Sequence, residues 1–342
     1  MKPGGSSRPV VIVHGRVEDS ASPDERDVLV EVDVVRRALE ALGYPTMVLP
    51  VTLDLEQASA ALAAASPLLA FNLAESIHGR GSYIHLVPTL LDSLGIPYTG
   101  ASCEAMVLTS HKLLGKRVLR QAGIPTPAWL PAAQAASTAP AFPPPWIVKS
   151  VWEHASVGLE DSAVVSTPAQ LDQEIRRRAR RERVEHLFVE AFVDGREFNL
   201  ALLGGAEDGE PQNLPPAEIQ FVGYPEGKPR MVGYRAKWAE GSYEFDHTPP
   251  RYELADQDRA LADTLVDISR ACWKAFELRG YARVDFRVDP SGRPYVLEVN
   301  ANPCLSPDAG FVAAAARAGL SVEDIIERIV ADVAVPGGRA CR

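Results

Sequence analysis

The sequence predicts an α/β protein: a parallel N-terminal α/β unit followed by subdomains of mixed α+β character. Three observations carry this expectation. Short apolar runs alternate with amphipathic stretches over the first hundred residues, as strand–helix–strand units do. Beyond a Pro- and Ala-rich connection, further apolar runs sit around charged helical stretches and end in a hairpin pattern. The chain has 342 residues, too many for one small core, which favours two or three subdomains.

In order, "PVVIVHG" reads as a buried strand ending at Gly15. Val28, Val32, Val35, Leu39 and Leu42 recur on one face of a helix closed by Gly43. "TMVLPV" is a second strand, residues 56–65 a helix and "LLAFNLA" a third strand. A helix near 83–94 and a short strand "PYTG" complete a first unit spanning 1–110. Residues 110–122 form a helix stopped by Gly123 and Pro125, and the stretch to Pro145 is an extended connection. "WIVKS" is a strand, 168–183 a charged helix and "HLFVEAFV" a strand, giving a central unit over 111–195. The last unit, 196–342, holds "REFNLALLGG" and a polar region from about 205 to 255. A helix follows, with Leu261, Leu265, Ile268, Cys272 and Phe276 on one side. Then come the hairpin and a helix opening at the capping pattern "SVED".

The hydrophobic fraction of 46% and the charged fraction of 23% fit a soluble globular protein. A formal net charge of -10 argues against nucleic acid as a main partner. Four cysteines without a CxxC pair read as reduced thiols, so a cytoplasmic location is expected. The longest apolar stretch is broken by Pro67, so no membrane partner is expected. The run "RRRARRER" reads as a solvated helix face. Patterns for a P-loop, a dinucleotide fold, a serine hydrolase elbow and a zincin are absent.

The hairpin "YARVDFRVDPSGRPYVLEVNANP" carries the chemistry. Alternation puts Arg283, Asp285 and Arg287 on one face of its first strand, and Glu298 and Asn300 on one face of its second. A turn over Pro290–Arg293 sets Asp285 opposite Glu298 and Arg283 opposite Asn300. Opposed carboxylates repel, and a hard divalent cation would relieve them. A solvated face with ordinary charges fits the same pattern. Lys149 ends an apolar strand ahead of a loop, Ser156–Gly158, whose backbone N–H groups suit phosphate. Taken singly, each of Lys116, Lys149 and Lys237 is more often a surface lysine than a ligand.

Together, "GIPYTG", "KLLGK", "WIVKS", "ASVG", "FVEAFVDGREFNLALLG", "GYRAKW", "ARVDFRV" and "LEVNANP" resemble, in that order, the ATP-grasp superfamily in its D-alanine–D-alanine ligase-like branch. The resemblance covers about residues 70 to 330. It implies ATP gripped between the central and C-terminal units. Lys116 and Lys149 correspond to lysines that reach ATP phosphates, and Ser156, Val157 and Gly158 to the phosphate loop. Glu190 would accept from the adenine amino group, with the backbone of Ala191 and Val193 at the adenine edge and Glu197 on the ribose. Lys237 belongs to a loop closing over the phosphates. Asp285, Glu298 and Asn300 correspond to ligands of Mg²⁺ (or Mn²⁺), and Arg283 to the arginine beside the reacting carbonyl. The implied reaction joins a carboxylate and an amine, expected to be amino acids, through an acyl phosphate. A homodimer is the implied assembly.

The amino-acid half departs from the family pattern. Ala155 stands where a Ser precedes the loop, Trp238 where a Tyr follows Ala-Lys, and Cys304 and Ala309 where a Gly and a carboxylate-binding Ser are expected. "GRVEDSASPDERD" replaces the usual context of an N-terminal glutamate. Loss of a hydroxyl at a carboxylate site removes a donor. These departures imply the same reaction type on other substrates, with Glu75, His78, Arg80, Tyr83, Cys304 and Asp308 as candidates for the altered pocket. D-Alanine–D-alanine ligase proper and a non-catalytic ATP-binding regulator are the alternative readings.

Overall fold

The apolar run at the start forms β1 (Val10–Gly15), buried at every position because it is the middle strand of a parallel sheet ordered β2-β1-β3. Around it lie α1 (Pro23–Ala41), β2 (Thr46–Val51), α2 (Leu55–Ala65), β3 (Leu69–Asn72) and α3 (Leu86–Ser93). The computed structural model describes residues 8–135, 138–153, 156–205 and 209–333. Cys341 and Ala155 therefore lie outside the described residues. The expected "PYTG" strand reduces to a single parallel bridge from Tyr98 to Ala70. The expected helix near 83–94 begins with one 3₁₀ turn, Gly81–Tyr83, before α3.

Two helices follow, α4 (Cys103–Ser110) and α5 (Lys112–Gln121). The first was not anticipated, although Ser102 caps it by accepting from the Ala105 N–H at 3.2 Å. The central sheet contains β4 (Trp129–Pro131), then α6 (Ala132–Ala135), β5 (Trp146–Ser150), β6 (Val164–Val165), α7 (Pro168–Arg178) and β7 (Leu187–Ala191). Its order is β4-β7-β5-β6, with every pairing antiparallel. The Pro- and Ala-rich connection thus supplies an edge strand and a helical turn. The arginine run is only partly a solvated face: Arg178 is buried and donates to the Val148 carbonyl at 2.8 Å.

The third sheet has six strands. It is built from β8 (Arg196–Leu203), β9 (Gln212–Asn213), β10 (Ala217–Ile219), then, after α8 (Tyr234–Trp238) and α9 (Tyr243–Asp246), β11 (Pro250–Arg251). After α10 (Arg259–Ala275) come β12 (Tyr281–Val288) and β13 (Pro294–Asn300), and α11 (Gly310–Arg317) and α12 (Val322–Val333) close the chain. The spine is β11-β10-β8-β12-β13, with β9 on β8. Alternation divides this sheet cleanly. Phe198, Leu200, Val284 and Phe286 point into a core shared with α10, α4 and α5. Glu197, Asn199, Arg283, Asp285 and Arg287 point the other way.

The N-terminal sheet does not stand apart. Val10, Ile12, Phe71, Val35 and Leu39 share one core with Leu203, Tyr281, Phe311, Ile325 and Ile329. That common core holds the N-terminal unit rigidly above the polar face of the third sheet. Among the described residues no helix is long and apolar enough to cross a membrane.

Candidate active site

The hairpin pairs as expected at its working end: Asp285 lies opposite Glu298 and Arg283 opposite Asn300. The turn is one residue longer than the sequence suggests, because Asp289 organises it by accepting from Ser291 N at 2.9 Å and Arg293 N at 3.1 Å. A bulge restores the register, since Phe286 pairs with Val296 and leaves Leu297 without a partner residue. Leu297 and Glu298 consequently both face a cleft between the central and third sheets.

That cleft is lined by Lys149, Ser156, Val157, Glu190, Ala191, Val193, Glu197, Lys237, Asp285 and Glu298. Lys116, expected among them, is absent. It is buried beneath the central sheet, where its ammonium pairs with Glu190 and donates to Thr126 Oγ1 at 2.8 Å. The lysine of α5 that lines the cleft is Lys112, one helical turn earlier, with Nζ 2.9 Å from Glu298 Oε2 and donating to the Glu153 carbonyl at 2.8 Å. The error is one of helical phase: α5 begins at Lys112, so its first residue projects from the helix start while Lys116 turns inward.

Lys149 donates to Glu190 Oε2 at 2.7 Å, so both oxygens of that buried carboxylate are held by ammonium groups. Burial alone would raise Glu190, but Lys116 and Lys149 together hold it below the usual carboxylate range. Arg287 donates to Glu197 Oε2 at 3.0 Å and to the Val193 carbonyl at 2.9 Å, and so ties the Ala191–Val193 edge to the Glu197 carboxylate. Its Nη2 is buried without a hydrogen-bond partner among the described residues. Gly195 permits this approach: at φ +145°, a Cβ there would meet the Val288 carbonyl oxygen at 2.1 Å. Replacing Arg287 with Met removes charge-assisted bonds, so the KM for ATP should rise by about tenfold or more with a smaller change in kcat. Steady-state kinetics with varied ATP checks this.

Ser156 donates to the Val232 carbonyl at 2.9 Å, and Tyr234 N donates to the Leu159 carbonyl at 3.1 Å. Gly158 adopts φ +69° and packs against the Arg178 guanidinium instead of lining the cleft. Tyr234 also donates its hydroxyl proton to Asp24 Oδ1 at 2.9 Å. The Ser156–Leu159 loop, the segment carrying Lys237 and the start of α1 are thereby clasped together. Burial, followed by the neighbouring Arg283, pulls the Lys237 ammonium below its ordinary pKa.

Asp285 accepts from Arg283 Nε at 2.7 Å and Nη2 at 2.9 Å, and from Asn199 Nδ2 at 2.7 Å. Asn199 was not anticipated, though the alternation of "REFNL" puts it beside Glu197. Asn300 Oδ1 accepts from Asn302 N at 3.0 Å. Among the described residues no three His, Cys, Asp or Glu side chains converge on one metal position. Two opposed carboxylates and an amide oxygen form an incomplete but all-oxygen donor set. That fits Mg²⁺, which usually takes one or two carboxylates together with substrate phosphates.

A second cavity, of about 350 Å³, adjoins the first and shares Glu197, Lys237, Asp285 and Glu298 with it. Glu75, Cys304 and Asp308 line it, as do Asn199, Arg283, Asn300 and Trp238. Asp308 does not cap α11, whose N-cap is Ala309. His78 faces a separate cleft under the start of α1. Arg80 and Tyr83 line none of the three; the Arg80 guanidinium stacks 5.6 Å from the Tyr83 ring instead. Asp27, missed in the sequence, lines the cavity and accepts from Cys304 Sγ and Ser306 Oγ, each at 2.9 Å. Burial, then Asp27, pushes Glu75 up to about 7.

A carboxyl raised on folding makes the folded state hold its proton longer. Stability is then greatest below the unfolded value near 4.5 and falls as pH rises through 7. Between pH 5 and 8 this group should remove roughly 2 kcal/mol. Glu75→Gln should therefore raise the melting temperature more at pH 8 than at pH 5, as paired thermal melts would show.

The family described as "D-ala D-ala ligase C-terminus" matches residues 118–331. An uncharacterized protein, y4sG, of Sinorhizobium fredii is 35% identical over 308 residues, covering 88% of this chain and 86% of that one. A D-alanine–D-alanine ligase of Gloeobacter violaceus is 32% identical over 326 residues, covering 91% and 96%. Among solved structures, the D-alanyl-alanine synthetase A of Vibrio cholerae superposes with a TM-score of 0.73 at 18% identity, covering 96% of this chain and all of that one. The Bacillus anthracis D-alanine–D-alanine ligase complexed with ATP gives 0.70 at 21%, covering 96% and 98%.

Proposed function

This chain belongs to the D-alanine–D-alanine ligase family of ATP-dependent ligases, and from that premise we propose that it joins a carboxylate to an amine through an acyl phosphate, on a substrate pair other than two D-alanines. The observation that carries the proposal is the shared wall. One face of β8, β12 and β13, through Glu197, Asp285 and Glu298, together with Lys237 of α8, borders both the cleft suited to ATP and the cavity beside it.

In this reading Glu190, Ala191 and Val193 hold the adenine end and Glu197, oriented by Arg287, the ribose. Lys112, Lys149 and Lys237 face the phosphates, with the Ser156–Val157 segment above them. A substrate carboxylate in the second cavity attacks the γ-phosphorus, and ADP leaves. The amine then attacks the acyl carbon, loses a proton and expels phosphate. Arg283 offsets charge on the oxygen of the tetrahedral intermediate. Asp285, Glu298 and Asn300 would hold Mg²⁺, which offsets charge between the attacking carboxylate and the polyphosphate. The Tyr234–Asp24 clasp keeps water from the acyl phosphate. A homodimer of a cytoplasmic enzyme completes this reading, and sedimentation velocity tests the assembly.

Phosphate release from Mg-ATP, measured with a matrix of carboxylate donors and amines and followed by mass spectrometry of products, tests the proposal. Release should require both partners. No release with any pair would overturn ligation, and rapid release with D-alanine alone would overturn the substrate reading.

A further inference from the structure

We infer that Arg287 contacts the nucleotide directly: with Glu197 it recognises one ribose hydroxyl from both sides, and so makes the enzyme selective for a ribonucleotide. This rests on the reading of the cleft as the ATP site, and gives Arg287 a role beyond orienting Glu197.

Arg287 is 3% exposed and lines the cleft. It stands on the polar face of β12, directly opposite Glu197 of β8. Its Nε donates to the Val193 carbonyl and its Nη1 to Glu197 Oε2, while Nη2 has no hydrogen-bond partner among the described residues. The rings of Phe192 and Phe221, with centroids 5.6 and 5.8 Å from the guanidinium carbon, hold it in place but offer no lone pair. Two other arginines of the same sheet make closed pairs. Arg196 binds both oxygens of Glu218, and Arg283 both oxygens of Asp285. Arg287 meets Glu197 through one oxygen only, and Glu197 Oε1 makes no hydrogen bond among the described residues. One charged donor and one charged acceptor are left over on a single buried pair.

A hydroxyl matches both. Its O–H donates to Glu197 Oε1 while its oxygen accepts from Arg287 Nη2. A phosphate oxygen would satisfy Nη2 but meet Glu197 with like charge, and an ammonium would do the reverse. The position agrees with a sugar. Arg287 lies two residues, about 7 Å of strand, beyond Asp285 on the same face of β12. Its Nε bond reaches Val193 at the edge assigned to the base. A nucleotide with its phosphates near Asp285 and its base at Val193 carries its sugar between them, beside Arg287. A ligand lacking the hydroxyl leaves a charged donor unpaired in a dry site, an asymmetry that discriminates strongly.

Isothermal titration calorimetry on the full chain with Mg²⁺ tests this by comparing ATP with 2′-deoxy-ATP and 3′-deoxy-ATP. ATP should bind about tenfold or more tightly than one of the two analogues, and the weaker analogue identifies the hydroxyl. Glu197→Gln should keep part of that preference, about threefold or more, because Arg287 still donates. Adding Arg287→Met to Glu197→Gln should abolish what remains. Arg287→Lys keeps a cation beside Glu197 but loses Nη2, so ATP should weaken towards the affinity of that analogue, with the analogue itself within about twofold of the parent. Thermal melts check that each variant is folded, and the comparison in the parent needs no variant. Equal affinity for all three nucleotides would overturn the inference while leaving the ATP reading intact. A preference that vanishes in Glu197→Gln alone would also overturn it, since Arg287 would then act only through the carboxylate. Binding of none of the three would remove the ATP reading itself, and the inference with it.

Discussion

Asp285→Asn and Glu298→Gln should each lower kcat by about three orders of magnitude, roughly 4 kcal/mol of transition-state stabilisation. The two carboxylates face one another across β12 and β13, with Arg283 and Asn199 bonded to one and Lys112 to the other. Neither substitution changes the shape of the side chain, so the loss reports charge. Melting temperatures should stay close to the parent, because Arg283 and Asn199 can still bond the amide at position 285. Titrating Mg²⁺ against phosphate release separates the roles. If these residues hold the metal, the requirement for Mg²⁺ rises in both variants. Full activity in either would remove it from the metal site.

Lys116→Met should destabilise the protein by about 3 to 5 kcal/mol, although Lys116 itself does not line the cleft. Lys116 is 1% exposed and Glu190 is 1% exposed, and their contact ties α5 to β7. Removing the lysine leaves one oxygen of a buried carboxylate without its charge partner. Lys149 still binds the other oxygen, so some of the penalty is retained as a raised Glu190 pKa. Urea denaturation measures the loss. The double variant Lys116→Met/Glu190→Gln should recover a substantial part of it, since the orphaned charge is then gone. A single variant as stable as the parent would show that the pair is not structural.

The working register of the hairpin was legible because it depends on alternation, and alternation survives any turn length that a bulge can compensate. The polar face of β12 was equally legible, since alternation alone puts Arg283, Asp285 and Arg287 on one side. Lys112 and Lys116 were confused because both lie on one helix in a family-like context, and only the start of α5 determines which one faces the cleft. Arg80 and Tyr83 were placed in the pocket by nearness in sequence to Glu75, yet the 3₁₀ turn at Gly81–Tyr83 carries them away from it. Asp27 and Asp24 lacked any local signal. They reach the site from α1 across more than two hundred residues of chain, through contacts to Cys304, Ser306 and Tyr234.

By itself the sequence determined the strand and helix periods and the two-carboxylate hairpin, since each of these is set by residues within a few positions of one another, and the class of chemistry, through motifs in a fixed order from Gly95 to Pro303. The tertiary structure alone decided which lysine of α5 lines the cleft, how Glu190 is held and how acidic the second cavity is. Those depend on the packing of α1 and α5 against distant sheets. Charge and burial there are sums over neighbours that no local spacing encodes.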